Sequence, residues 1–233
     1  MMQGTQEWHE ARLGRVTASR VSDVIARTKS GWGPPRANYM AQLIAARLTR
    51  LPNAGYVHQA MPRGTHTEPH ARRVYELVEG VTVEEVGFIP HPTIPMTGAS
   101  PDGQIGDDGL VEMKCPNTAT HIENLLGATI ADRYVVQMQW QMACTGRAWC
   151  DFVSFDPRMP MPAQIIVTRV KRDPVRIAEL EAAVRDFLAE LDRKESAIRA
   201  RYMGETAAAV AASGLREALV SSLTTPDNVL MAG

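Results

Sequence analysis

Two carboxylates and one lysine are spaced in this chain so that they could meet at the end of a β-hairpin. Asp102 lies in the stretch 100–103 (Ser-Pro-Asp-Gly), and Glu112 and Lys114 follow ten and twelve residues after it. Side chains alternate across a strand, so Glu112 and Lys114 would share one face, with Asp102 on the neighbouring strand. Carboxylate oxygens suit a hard cation such as Mg²⁺, and a nearby amine can hold or deprotonate a water. This combination is typical of metal-assisted phosphodiester hydrolysis.

The residues around this triad favour a hairpin. Segment 105–109 (Ile-Gly-Asp-Asp-Gly) has the composition of a tight turn, and Pro116 ends the second strand soon after Lys114. The same pattern also arises as an ordinary turn followed by an exposed Glu/Lys pair. The triad alone therefore leaves a purely structural interpretation open.

The composition is that of a globular chain of ordinary hydrophobicity. Its 233 residues are 45% hydrophobic and 22% charged, which fits one domain with appendages. We predict a single domain over residues 1–203 and a helical or extended tail over residues 204–233. No apolar run approaches the roughly 20 residues of a membrane span, and the N-terminus lacks signal-peptide features, so a cytoplasmic protein without membrane contact is expected. Three cysteines without a CxxC pair predict reduced, mostly buried thiols.

Charge is unevenly distributed although the formal net charge is only −1. Residues 1–50 contain eight Arg and Lys against three acids, a net charge of +5. Residues 76–132 contain ten acids and a single basic residue, Lys114, a net charge of −9. A basic arm beside an acidic, metal-binding middle suits an enzyme acting on DNA, although scattered charges on solvated faces would give the same counts.

Apolar periodicity predicts a mixed α/β domain with a central sheet flanked by helices. The predicted helices cover residues 6–13, 19–26, 38–49, 64–78, 119–126, 134–144 and 174–202. The predicted strands cover residues 82–90, 96–99, the hairpin from Asp102 to Cys115, 150–155 and 164–170. Residues 27–36 are predicted to form a basic, Gly/Pro-rich loop. Ser19 is predicted to cap the second helix, and Trp8 and Trp140 are predicted to lie in the core.

Five ordered blocks of residues resemble motifs of the phage λ-type alkaline exonucleases, also called YqaJ-type viral recombinases, within the PD-(D/E)xK nuclease superfamily. The blocks are 8–19 (Trp-His-Glu-Ala-Arg-Leu-Gly-Arg-Val-Thr-Ala-Ser), 64–71 (Gly-Thr-His-Thr-Glu-Pro-His-Ala), 100–103 with 112–116 (Glu-Met-Lys-Cys-Pro), 134–139 (Tyr-Val-Val-Gln-Met-Gln) and 156–159 (Asp-Pro-Arg-Met). A Glu-x-Lys sequence alone is weak evidence, whereas five blocks in order are specific.

The resemblance implies a restriction-endonuclease-like core and a Mg²⁺-dependent exonuclease, with Mn²⁺ as a substitute. Such an enzyme digests one strand of linear duplex DNA from the 5′ end, releases mononucleotides and leaves a 3′ overhang. The resemblance further implies a homotrimeric ring around DNA and a single-strand annealing protein as partner in phage recombination. The gene would then belong to a phage or prophage, and the protein would act in the cytoplasm of a bacterial host.

By this resemblance the metal ligands are Asp102, Glu112, the Met113 carbonyl and Glu68, the last directly or through water. Lys114 would position and activate the attacking water, with its pKa lowered by the neighbouring cation. Gln137 would contact the phosphate or that water, and Gln139 is a weaker candidate on the same helix. The alternatives are a surface acid for Glu68, a salt bridge for Lys114 and a solvated helix face for Gln137.

The resemblance also implies a pocket for the terminal 5′-phosphate, formed by Arg12, Ser19 and Ser100. Arginine makes bidentate contacts to phosphate, and a helix start near Ser19 offers free N–H groups to an anion. Met61 would be a wedge between the terminal base pairs, although packing on the core is an equal alternative. The alternatives are that Arg12 is only a surface charge and that Ser19 is only a helix cap.

Two other functions stay open. The first is a PD-(D/E)xK endonuclease or repair nuclease of different polarity, which would not need a 5′-phosphate pocket. The second is a non-catalytic DNA-binding scaffold for recombination, against which the complete set of Asp102, Glu112 and Lys114 argues.

Overall fold

The computed structural model describes residues 2–52 and 62–204. The chain divides into two compact units, residues 1–189 and 190–233. Among the described residues, the first unit contains nearly all of the secondary structure, and the second contains the end of the last helix.

Helices and strands alternate in the order of a mixed α/β domain. The helices of the described residues are α1 (Gln6–Arg12), α2 (Val21–Val24), α3 (Pro34–Thr49), α4 (Pro62–Glu79), α5 (Thr118–Leu125), α6 (Asp132–Thr145) and α7 (Pro174–Tyr202), with 3₁₀ turns at Ala18–Arg20 and Met161–Ala163. The strands are β1 (Val16–Thr17), β2 (Arg27–Thr28), β3 (Gly31–Trp32), β4 (Ile89–Pro90), β5 (Thr97–Ala99), β6 (Gly103–Ile105), β7 (Gly109–Lys114), β8 (Trp149–Phe155) and β9 (Ile165–Lys171). Over residues 2–52 and 62–204, no helix has both the length and the apolar character that crossing a membrane requires.

A four-stranded mixed sheet in the order β6-β7-β8-β9 forms the centre of the first unit. β6 and β7 are antiparallel, β7 and β8 are parallel, and β8 and β9 are antiparallel. The predicted hairpin is thus confirmed, and its second strand is an inner strand of the sheet. Because β7 is paired on both edges, its side chains are held in a fixed register.

The two faces of β7 belong to two different packing layers. Val111 and Met113 pack with Ala71 and Tyr75 of α4 in one apolar cluster. Leu110, on the other face, packs with side chains of α6 and β8, namely Met138, Met142, Cys150 and Phe152. Alternation along β7 therefore directs Glu112 and Lys114 towards the α6 face, while Met113 points to the α4 face.

Hydrogen bonds to a buried carboxylate attach α4 to the sheet. Asp151 of β8 is fully buried and accepts two hydrogen bonds of 2.8 Å from Arg169 of β9. The Tyr75 hydroxyl donates to the same carboxylate at 2.8 Å. Burial, together with this hydrogen bond, raises the pKa of Tyr75 far above its usual value. The network satisfies a carboxylate that would otherwise be costly to bury, and it fixes the position of α4.

A second sheet joins the N-terminal segment to the strand that precedes the hairpin. β5 lies between β1, to which it is parallel, and β4, to which it is antiparallel. The Thr97 hydroxyl donates to the Val16 carbonyl at 2.8 Å, which reinforces this pairing. Ser100 follows β5 directly, and because β1 and β5 are parallel, their register places it beside the residues that follow β1.

Most predicted elements are confirmed, with three local differences. Of the predicted strand 82–90, only β4 and an isolated bridge between Glu84 and Gln104 are formed, because this segment meets β6 at a single point. The predicted loop 27–36 contains the short hairpin of β2 and β3, and α3 begins at Pro34, a residue type that suits the first helical turn. The 3₁₀ turn and short α2 replace one continuous second helix.

The three cysteines are free, as predicted. Cys144 and Cys150 are buried, and Cys115 is half-buried. Burial, aided by the neighbouring Glu68 and Asp102 carboxylates, raises the pKa of Cys115 to about 11. This thiol is therefore protonated at neutral pH.

Candidate active site

Glu112 is the centre of the candidate site. Its side chain is completely buried, yet both carboxylate oxygens accept hydrogen bonds. Oε1 accepts from Lys114 Nζ and, at 2.7 Å, from Gln137 Nε2. Oε2 accepts from Gln141 Nε2 at 2.6 Å. These contacts make burial of the charge tolerable, because an unpaired carboxylate in the core would cost several kcal/mol or take up a proton.

Asp102 lies where the hairpin register brings it beside Glu112. Gly103 pairs with Val111, so the next position of the ladder places Asp102 opposite Glu112. Asp102 Oδ2 accepts a hydrogen bond from the Met113 amide at 2.6 Å. Burial and repulsion from Glu112 raise the pKa of Asp102 well above its usual value, although Lys114 and the Met113 amide oppose this rise.

Glu68 contributes a third carboxylate from α4. It is half-buried and lies 4.0 Å from the guanidinium of Arg72, measured from Oε1 to Nη2. Burial raises its pKa, Arg72 lowers it, and the charge of Glu112 raises it further. The charges of Asp102, Glu112 and Glu68 therefore act on one another, as expected if the three residues form one acidic site.

The chemistry of the Asp102, Glu112 and Glu68 carboxylates suits a hard divalent cation. They are oxygen donors with more negative charge than Lys114 and Arg72 neutralise, and burial, together with the charge of Glu112, raises the pKa values of Asp102 and Glu68. Within the described residues, however, no three His, Cys, Asp or Glu side chains are arranged as a metal site. The Glu112 oxygens are directed at Lys114 and at two amides. The metal-ligand assignments, including the Met113 carbonyl, stay predictions.

Lys114 is held close to the acidic group. Its Nζ contacts Glu112 Oε1 and lies 5.3 Å from the centre of the Tyr134 ring. Burial favours the neutral amine, but Glu112 and Asp102 outweigh it, so the pKa of Lys114 is raised above its usual value. The salt bridge weighed as an alternative is present, and a cation held by the carboxylates would oppose this rise in the pKa of Lys114.

Helix α6 supplies two glutamines, of which the sequence motif indicated one. Gln137 donates a hydrogen bond to Glu112, whereas Gln139 points away and bonds to the backbone of residues Lys171 and Asp173. Gln141 was not predicted to contact the site. Its spacing of four residues from Gln137 was the available signal, since residues i and i+4 lie on the same helix face.

The candidate phosphate pocket is partly assembled. Arg12 Nη1 donates to Ser100 Oγ at 3.2 Å, so these two residues lie together. Trp8, predicted to be core, is only half-buried: its Nε1 donates to Ser100 Oγ at 2.9 Å and its ring lies 4.0 Å from the Arg12 guanidinium carbon. Trp140, by contrast, is fully buried as predicted.

Ser19 does not cap a helix. It lies inside the 3₁₀ turn Ala18–Arg20 and is exposed, and α2 has Arg20 at its N-cap position without a side-chain cap bond. The chain tightens into the 3₁₀ turn directly after β1, so the first helical turn starts before the serine. Its assignment to phosphate binding stays a prediction. Met61 and the predicted tail from residue 205 onward lie outside the described residues.

Comparison with known sequences and structures gives the class of protein. Residues 7–148 match the YqaJ-like viral recombinase domain, a range that includes α1 from its second residue onward and all residues of the acidic site. The chain belongs to this family. No match to a curated protein was found.

Two solved structures of one relative are similar over most of their length. The alkaline exonuclease LHK-Exo in complex with dAMP is 52% identical, with a TM-score of 0.78 over 84% of this chain and 97% of that chain. A second structure of the alkaline exonuclease LHK-Exo, from Laribacter hongkongensis, is 51% identical, with the same TM-score over 88% of this chain and 100% of that chain. A phage-related exonuclease from Haemophilus somnus 129PT, at 14% identity and TM-score 0.58, shares the fold over 79% of this chain and 96% of its own. The fold is thus the mixed α/β fold of PD-(D/E)xK exonucleases.

Proposed function

We propose that this protein is a Mg²⁺-dependent exonuclease that degrades one strand of linear duplex DNA in the 5′→3′ direction and leaves 3′ overhangs. The observation that carries the proposal is the buried Glu112 carboxylate, joined to Lys114 and lying beside Asp102. The 52% identical relative, named an alkaline exonuclease and solved with dAMP, supports both a nuclease and a mononucleotide product. Mn²⁺ is expected to replace Mg²⁺, because oxygen ligands accept both.

Each residue of the site has a distinct part in this reaction. A divalent cation held by Asp102, Glu112 and Glu68 would supply charge neutralisation at the scissile phosphate and lower the pKa of a water. Lys114 would orient the attacking water and, in its neutral form, accept the proton of that water. Gln137 holds Glu112 through its amide, and it is the proposed contact to the phosphate or the attacking water.

The direct test is digestion of end-labelled linear duplex with and without a 5′-phosphate. We expect mononucleotides from the 5′-phosphorylated strand with Mg²⁺ and none with EDTA. Cleavage inside closed circular DNA would instead identify an endonuclease, and binding without any cleavage would identify a scaffold. If nucleotides labelled at the 3′ end were released first, the polarity would be 3′→5′, opposite to the proposed one.

Changing Arg12 to alanine is expected to reduce digestion of 5′-phosphorylated ends about 10–100-fold, with little effect on unphosphorylated ends. The physical reason is loss of a charge-assisted contact worth roughly 1.5–3 kcal/mol. The measurement is the ratio of initial rates on the two substrates. Arg15→Ala is the matched control, because this arginine lies on the same segment with its guanidinium 5.9 Å from the Phe88 ring. Equal loss on both substrates would contradict a phosphate pocket.

We further propose a homotrimeric ring on DNA, in line with the family. Sedimentation equilibrium at micromolar concentration should give three times the 25.6 kDa mass of one chain. A monomer mass across that range would refute the ring. A phage single-strand annealing protein is the proposed partner, and the cytoplasm of a bacterial host carrying the phage or prophage is the proposed location.

A further inference from the structure

Gln141 lies against the inner oxygen of the Glu112 carboxylate. Its side chain is fully buried, and its Nε2 donates to Glu112 Oε2 at 2.6 Å. A bond this short from an amide to a carboxylate is charge-assisted and stronger than a neutral one.

The Gln141 amide is also contacted from its other side. The Cys150 thiol donates to Gln141 Oε1 at 3.9 Å. A carboxylate can only accept, so Nε2 must face Glu112 and Oε1 must face the thiol. Burial raises the pKa of Cys150 well above its usual value, which keeps this donor protonated.

Two amides on one helix hold the two oxygens of Glu112. Gln137 bonds to Oε1 and Gln141 bonds to Oε2, and they lie one helical turn apart on α6. The apolar cluster that includes Leu110 and Met142 attaches this helix to β7. The carboxylate plane is thereby set by the helix. Gln141 is uncharged, so it satisfies Oε2 without adding positive charge to that of the Lys114 ammonium at Oε1.

We propose that Gln141 is a positioning residue for metal binding: it holds Oε2 of Glu112 inside the core so that Oε1 is presented at the acidic site. The inference rests on the proposed function, because it assigns Glu112 as a ligand of a divalent cation. Removing this bond would leave Oε2 buried without its amide donor, and the carboxylate would turn to find another one. Outer groups that orient a ligand typically change metal affinity or activity by about 10–100-fold.

The test compares Gln141→Met with Gln139→Met. Both glutamines are buried on α6 and both lose two hydrogen bonds, but those of Gln139 go to the backbone at Lys171 and Asp173. Binding of Mn²⁺ alone is measured by electron paramagnetic resonance, and the Mg²⁺ dependence of DNA digestion is measured separately. We expect Gln141→Met to weaken Mn²⁺ binding and to raise the half-saturating Mg²⁺ concentration, both roughly 10-fold, with KM for DNA unchanged. Gln139→Met should change both by less than about 2-fold, a difference that loss of stability alone would not produce.

The outcomes separate this inference from the proposed function. Normal Mn²⁺ binding by Gln141→Met in an active enzyme overturns the inference and leaves the function intact. If Gln141→Met weakens Mn²⁺ binding but the unsubstituted protein does not digest DNA, the inference is supported and the proposed function is overturned. If Gln141→Met does not fold, Gln141→Asn, whose amide is one methylene shorter and is withdrawn from Glu112 Oε2, should weaken Mn²⁺ binding about 10-fold. Unchanged binding by Gln141→Asn would then overturn the inference.

Discussion

Lys114→Ala is expected to lower the rate of DNA digestion about 10³-fold while duplex binding changes little, because a positioned proton acceptor contributes typically 10²–10⁴-fold. The amine is held at Glu112 Oε1 and is the basic group nearest to the acidic site along β7. Its removal leaves Glu112 bonded to Gln137 and Gln141, so the protein should still fold. Digestion of labelled duplex in excess Mg²⁺ and duplex binding in Ca²⁺ are the two measurements.

Lys171→Ala is the matched control for this variant. Lys171 is an exposed lysine at the end of β9 in the same sheet, so its removal changes net charge equally. It should digest DNA within about twofold of the parent rate, as surface substitutions usually do. If Lys114→Ala digests DNA as fast as this control, another group activates the water.

Asp102→Asn is expected to abolish cleavage and, in the same protein, to raise the melting temperature in EDTA. Cleavage should fall about 10³-fold, because losing one carboxylate removes several kcal/mol of charge stabilisation through the cation. Stability should rise because burial and Glu112 together oppose ionisation of Asp102 in the folded state. Asparagine keeps the size of the side chain and an oxygen acceptor for the Met113 amide.

The pH dependence gives the sign of this effect. Folding raises the pKa of Asp102, so the unsubstituted parent protein binds the proton of this carboxyl more tightly when folded than when unfolded. The parent therefore loses stability as pH rises from the ordinary aspartate pKa of about 4 through the raised value of the folded state. Asp102→Asn should lack that loss, and its advantage in melting temperature should shrink as the pH falls.

Asp107→Asn, in the exposed turn of the hairpin, is the control for both measurements. It should cleave DNA normally and melt within about 1 °C of the parent, since exposed charges contribute little. A lower melting temperature for Asp102→Asn in EDTA would show that its ionised form stabilises the fold. Retained cleavage would remove Asp102 from the metal site.

The hairpin and its chemistry could be read from the sequence because they are local. Turn residues 105–109 bring the strands back within a few residues, and the pleat then assigns side chains to faces without reference to the rest of the chain. The adjacency of Asp102, Glu112 and Lys114 follows from that geometry, and the structure confirms it. The motif Tyr-x-x-Gln likewise indicated Gln137, although only by resemblance.

Other features needed contacts between distant segments. Trp8 has a sequence pattern suited to a core residue, yet its position is decided by Ser100, 92 residues away. Gln141 looks like a helix-surface residue until α6 is laid on the sheet, where it becomes fully buried against Glu112. The predicted helix cap at Ser19 is wrong because the chain enters a 3₁₀ turn directly after β1, which pairs with β5, and Ser19 lies inside that turn.

The amino-acid sequence by itself determined which groups are available and which of them share a strand face: three acids, one amine and an arginine with donors suited to phosphate. Tertiary structure decided how those groups act on one another. Only the packing of α6 on β7 buries Glu112 between two amides, and only the approach of α4 adds the charge of Glu68. The physical reason is that strand alternation is a short-range property, whereas burial and charge interaction depend on which distant segments exclude water together.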